Sequence, residues 1–181
     1  MGLFRKSSAE PLAVTMAGVK LGQRLLAVGV RDPKLIAQLA VKAGLTGRAC
    51  VVDDDEARLA EGAAAIEAEG ALVEPIRAPY GMWPFDAGSF DIAVIPNLLP
   101  ALPADTRVRC ISEVFRVLRP GGRALIIETG RRGGFGALLN RSYADASYKG
   151  PVAALEHAGF RAVRQLAEAD GISYAEGIKK A

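Results

Sequence analysis

Short, nearly continuous apolar runs alternate along this chain with longer stretches whose apolar residues recur every three or four positions. The runs 25–29, 49–53, 71–78, 91–96 and 124–128 read as strands. The stretches 33–43, 56–70, 105–118 and 151–159 carry helical spacing. Residues 1–24 form a helical lead-in whose segment EPLAVTMAGVK is amphipathic. Two final strands, 160–169 and 172–180, are separated only by a short Asp-Gly turn, which makes them an antiparallel hairpin. Strands spaced by helices imply right-handed crossovers and a parallel sheet. The pattern therefore predicts an α/β fold, doubly wound and Rossmann-like, with a mostly parallel seven-stranded sheet and an antiparallel C-terminal hairpin.

The first strand and its exit, LLAVGVRDPK, organise the rest. An apolar run ends in one glycine, Gly29, and a polar cluster follows. Asp32 suits the N-cap and Pro33 the first helical position. In open α/β sheets a ligand lies at the carboxyl ends of the strands beside such a turn. Further along, Gly121 and Gly122 after Pro120 let the chain reverse between a helix and a central strand, where positive φ is needed. Phe90 before the fourth strand places an aromatic in the core.

Composition narrows the function classes. A chain of 181 residues, half of them apolar, makes one domain with a real core, residues 1–181. No segment approaches the roughly 20 apolar residues of a membrane span. The start lacks a signal-peptide run, and Lys6 stands where a myristoylation site wants Ser or Thr. A cytoplasmic protein with no membrane partner is expected. Cys50 and Cys110 have no partner at metal-ligand spacing, so they read as buried thiols and no metal is expected. The net charge of +3 is too small to argue for nucleic acid. The irregular insertion 129–150 is locally basic, with Arg131, Arg132, Arg141 and Lys149 against Asp145. It is either a solvated loop or a surface for an anionic ligand.

Taken in order, GQRLLAVG, VVDDDEARLAEGAAAIEAEG, WPFDAGSFDIAV, VFRVLRPGGRALIIE and LEHAGFRAV resemble class I methyltransferases that use S-adenosylmethionine. The resemblance runs from about Leu21 to Lys179 and implies that family's fold and cofactor. On that resemblance the cofactor lies against Gly29, Val30, Arg31, Asp53 and Asp54. Pro79 and Tyr80 contribute from the third strand's exit, and Pro96 and Asn97 from the fourth's. Asp53 leads this set because a carboxylate ending the second strand can accept from both ribose hydroxyls. The acidic run Asp53, Asp54, Asp55 equally suits a helix cap, a task for Asp54 or Asp55.

The first turn departs from the family pattern. Ala27 replaces its acid, and Arg31 and Pro33 replace its second and third glycines. Pro79 falls about where the family has an acid near the adenine amine. Arg31 either turns to the cofactor's carboxylate or fills the place of its methionine part, leaving cofactor binding weak or lost. A nicotinamide dehydrogenase would want G-x-G-x-x-G at this turn, which GVRDPK does not supply. The fourth strand's exit, PNLLP, lacks the Asn/Asp-Pro-Pro-aromatic pattern that holds a flipped base. A small-molecule acceptor is the preferred reading, with Tyr143 and Tyr148 either lining its pocket or serving only as core or exposed residues, and no residue assigned as a base. His157 reads as structural or exposed. The lead-in and 129–150 offer only a modest lid, leaving the site open or completed by a second copy in a homodimer. The alternative is a methyltransferase-like domain that has lost transfer and serves as a binding or assembly module.

Overall fold

The structure, a computed structural model, describes residues 10–129 and 148–180. Seven strands form one sheet in the order β3-β2-β1-β4-β5-β7-β6. They are β1 Arg24–Val28, β2 Arg48–Asp53, β3 Glu74–Arg77, β4 Phe90–Pro96, β5 Leu118–Thr129, β6 Arg161–Ala169 and β7 Ile172–Ile178. β1 to β5 are mutually parallel, whereas β7 runs antiparallel to both β5 and β6. The sheet expected from the apolar runs and the closing hairpin is the one observed.

Helices cover both faces. α1 Leu12–Ala17, α2 Pro33–Ala43 and α3 Glu56–Ala68 lie on one side, and α4 Ala104–Val117 and α5 Pro151–His157 on the other. Successive strand residues point to opposite faces. Leu26, Val28 and Val52 therefore pack toward Ile111, Val114 and Leu155, while Leu25 and Val94 pack toward Leu35 and Leu39. α2 begins as its sequence predicts, with the Asp32 carboxylate accepting from Leu35 N at 3.0 Å and Pro33 in the first turn. Within the described part of the lead-in, the helix runs from Leu12 to Ala17; residues 1–9 lie outside the described residues. No helix among the described residues is long and apolar enough to cross a membrane.

The connection from β3 to β4 carries no helix. Tyr80, Trp83 and Phe85 turn into the core instead, and all three are buried. α4 staples this irregular stretch: Glu113 accepts from Trp83 N at 3.1 Å, and Arg116 donates to Phe85 O at 2.8 Å. Both cysteines are buried and free, as expected, and burial pushes each thiol up to about 12.

The RPGGR stretch differs from the simple turn expected. β5 already starts at Leu118, and the stretch is a bulge: Phe90 pairs with Leu118, but Ile92 pairs with Arg123. Gly121 has φ +76°, so positive φ is needed there. Gly122 is required for a different reason, because a Cβ would meet Arg119 O at 2.8 Å. Gly121 N and Gly122 O bond Lys179, at 2.7 and 2.9 Å, which fastens the bulge to the end of β7.

At the opposite edge from the strand tips, Asp91 accepts from Arg24 N at 2.7 Å and from the Arg24 and Arg119 guanidiniums. Burial alone would raise its pKa. The Arg24 side chain and backbone N–H, with Arg119, outweigh burial and hold it at about 2 against an ordinary 3.8. A carboxylate lowered on folding stabilises the fold above its unfolded pKa and loses that contribution as pH falls through the folded value. The lowering corresponds to stability on the order of 2 kcal/mol. Asp91→Asn should therefore lower the unfolding free energy by roughly that amount at pH 7. Denaturant titrations of both proteins should converge as pH falls from about 4 toward 2; a constant difference across that range would refute the assignment.

Candidate functional site

Because β1 to β5 are parallel, their carboxyl ends share one edge of the sheet. The strand order reverses between β1 and β4, the switch point at which open α/β sheets receive ligands. Gly29 and Val30 leave β1 there, Asp53 ends β2, Tyr80 follows β3, and Pro96 ends β4. Register places Val28 opposite Val52 and Pro96 opposite Ile127, so these tips lie nearly level.

Asp53 is the centre of this edge. It is 0 % exposed, and its carboxylate accepts from Val30 N at 3.0 Å and from Asp55 N at 3.1 Å. The Arg58 guanidinium covers the remaining lone pairs, with Nε at 3.0 and 3.1 Å from the two oxygens and Nη2 on Oδ1. Burial would raise the Asp53 pKa, but Arg58 and the two backbone donors outweigh it and hold it down to about 2. A fully buried carboxylate thus stays ionised. Arg58 also bonds Asp54 at 2.8 Å and approaches Asp55 at 3.9 Å. Asp55 caps α3 by accepting from Arg58 N at 2.8 Å, so capping falls to Asp55 and leaves Asp53 to the strand tip.

Gly29 has φ +80° and is buried, so the turn requires glycine. Its bare face does not lie open. A Cβ there would meet Leu98 Cδ1 at 3.3 Å and Tyr80 Oη at 3.5 Å. Tyr80 is buried, and its hydroxyl has no partner at hydrogen-bond geometry. Burial and then the Asp53 charge push its pKa up, so it stays a neutral donor. Val30 is wedged against α3, where a Cβ on Gly62 would lie 1.9 Å from Val30 Cγ1.

The other expected positions are dispersed. Arg31, Asp54 and Pro79 are exposed. Pro96 is buried, and Asn97 adopts φ +50°, which asparagine tolerates. Asn97 N donates to Ile127 O at 2.8 Å, and its side-chain oxygen accepts from Thr129 N at 2.7 Å. It clamps the exits of β4 and β5. His157 is exposed on α5. Tyr143 and the arginines Arg131, Arg132 and Arg141 lie outside the described residues.

Sequence reasoning missed Arg58, Leu98 and Gly62. Arg58 had one signal, an arginine three to five residues after three consecutive acids at a helix start. Leu98 and Gly62 had none. A second group sits at the tip of β5: Glu128 is buried and accepts from the Tyr148 hydroxyl, and burial raises its pKa. The Arg107 guanidinium lies 4.3 Å from the Tyr148 ring centroid and donates to Leu99 O and Leu102 O. Between α4 and α5 a groove of about 600 Å³ is lined by Arg107, Val108, Ile111, Tyr148, Ala153 and Ala154.

Residues 26–122 match the family described as a methyltransferase domain. A ubiquinone/menaquinone biosynthesis C-methyltransferase of Idiomarina loihiensis is 29 % identical over 133 residues, 72 % of this chain and 51 % of that protein. An uncharacterized protein of Haemophilus influenzae is 44 % identical over 77 residues, 41 % of this chain and 30 % of that protein. The chain spans about half the length, or less, of these curated relatives. Among solved structures, a SAM-dependent methyltransferase from Aquifex aeolicus superimposes with TM-score 0.74 at 18 % identity, covering 93 % of this chain and 88 % of that one. PigF with SAH superimposes with TM-score 0.64 at 20 % identity, covering 87 % and 50 %. At these identities the two structures show the fold.

The Val30–Gly62 contact holds the first turn against α3. Gly62→Ala improves helix propensity, yet it should destabilise the protein by about 1–3 kcal/mol because stiff Val30 must move. Adding Val30→Ala should recover part of that loss in thermal denaturation. Stabilisation by Gly62→Ala alone would show that the contact is loose.

Proposed function

This chain belongs to the methyltransferase-domain family, whose cofactor is S-adenosylmethionine, and we propose that it transfers a methyl group from that cofactor to a small-molecule acceptor. The observation that carries this reading is the ionised Asp53 carboxylate beside a buried Tyr80 hydroxyl that makes no well-formed hydrogen bond, both at the switch point of the sheet. A buried hydroxyl without a partner costs free energy unless something bonds it. A ribose supplies donors for the carboxylate and an acceptor for the phenol, so the residues present suit the nucleoside half of the cofactor.

When bound, S-adenosylmethionine supplies an already activated methyl group. The chain's own task is positioning. Asp53 and Tyr80 would hold the ribose. Val30 N and Asp55 N keep the Asp53 carboxylate aimed, and Gly29 lets β1 turn tightly enough for Leu98 and Tyr80 to close beside it. Arg31, Asp54 and Pro79 would flank the ligand at the rim, and Asn97 holds the tips of β4 and β5 level. Holding donor and acceptor in line lowers the barrier chiefly through orientation.

Three features support a small acceptor. The β4 exit, PNLLP, has no aromatic residue to stack on a flipped base. The net charge of +3 supplies little phosphate attraction. The groove beside Tyr148 and Arg107 has the volume of a small-molecule site.

Calorimetric titration with S-adenosylhomocysteine tests the site. Asp53→Ala should weaken binding at least tenfold, on the order of 1.5–3 kcal/mol for bonds to a charged group. Tyr80→Phe should weaken it about fivefold, or roughly 1 kcal/mol for a neutral bond. Binding unchanged in Asp53→Ala would overturn this placement of the nucleoside.

A further inference from the structure

The Asp53 carboxylate is already saturated. A carboxylate offers about four lone-pair positions. Here Val30 N and Asp55 N take two, and the Arg58 Nε and Nη2 donors cover the others. The two backbone donors are fixed by the β1 turn and the α3 cap, so they cannot yield. Arg58 can. Its side chain is 34 % exposed and springs from the first turn of α3. It also has somewhere to go, because exposed Asp54 already shares its Nη2 at 2.8 Å and exposed Asp55 lies 3.9 Å from its Nη1.

From this geometry we propose that Arg58 is a built-in competitor for the cofactor's ribose: its guanidinium occupies the Asp53 positions that the vicinal hydroxyls need. The inference rests on the nucleoside placement above. Without ligand, Arg58 compensates the buried charge and keeps the carboxylate oriented. With ligand, Arg58 turns outward onto Asp54 and Asp55, and the ribose hydroxyls take its place. Binding therefore exchanges a charge-assisted pair for two neutral donors, and Arg58 sets the affinity. Any ligand presenting a vicinal diol meets the same competition, whereas a ligand that contacts only the rim does not.

The full chain, the Arg58→Ala variant and the Arg58→Gln variant are titrated calorimetrically with S-adenosylhomocysteine, and their ligand-free thermal unfolding is recorded. Removing the competitor should tighten binding about tenfold while lowering ligand-free thermal stability, because the buried carboxylate loses its cation. Arg58→Gln, which is shorter and uncharged but keeps a polar amide, should fall between, and it carries the test if Arg58→Ala does not fold. Binding by both variants but not by the unaltered chain would support the proposal in its strongest form. Equal or weaker binding by both variants, with the unaltered chain still binding, would overturn the competitor and leave the nucleoside site standing. No binding by any of the three at millimolar ligand would overturn the site and the competitor together.

Discussion

A buried negative charge at the tip of β2 governs this end of the molecule. Asp53 is removed from water, and an isolated ion there would be expensive. It remains ionised because three parts of the chain converge on it: the turn after β1 through Val30 N, the start of α3 through Asp55 N, and the first turn of α3 through Arg58. The same bonds that stabilise the charge fix the relative positions of β1, β2 and α3. A change to any of these donors therefore alters both the local fold and the electrostatics of the crevice.

The first turn shows how a lost glycine pattern can be accommodated. One glycine remains, at the position whose φ of +80° demands it. The following Val30 is lodged against Gly62 in α3, so a glycine from a different helix supplies room that the turn itself no longer has. Leu98 and Tyr80 close the space over Gly29 from the β4 and β3 sides. The turn is consequently rigid and packed, and the adaptable group at this edge is the half-exposed side chain of Arg58.

The far edge of the sheet is built by comparable means with a different outcome. Asp91 is also held near pKa 2 by arginines and a backbone N–H, but Arg24, Arg119 and the RPGG bulge enclose it with no partnerless polar atom beside it. It ties strands together. Asp53 differs because the buried Tyr80 hydroxyl beside it makes no well-formed hydrogen bond and its strand ends at the switch point. Those neighbours, more than its lowered pKa, support the proposal that Asp53 holds the ribose.

Much of this was legible in residue order. Apolar runs specify buried parallel strands because both faces of such a sheet are covered, and Asp32-Pro33 marks a helix start whatever lies around it. The two-residue turn after Ala169 forces a hairpin, and the position of Asp53 after an apolar run puts it at a strand tip. Other features depended on tertiary packing. Whether the RPGG stretch is a turn or a bulge depends on its pairing with β4 and with Lys179, residues distant in sequence. Whether Arg58 faces the buried acid or the exposed ones depends on how α3 docks on the sheet. That Leu98 and Tyr80 fill the space over Gly29 depends on three strand ends meeting at one point. Local propensity is a property of neighbours along the chain, whereas occupancy of a crevice is a property of neighbours in space.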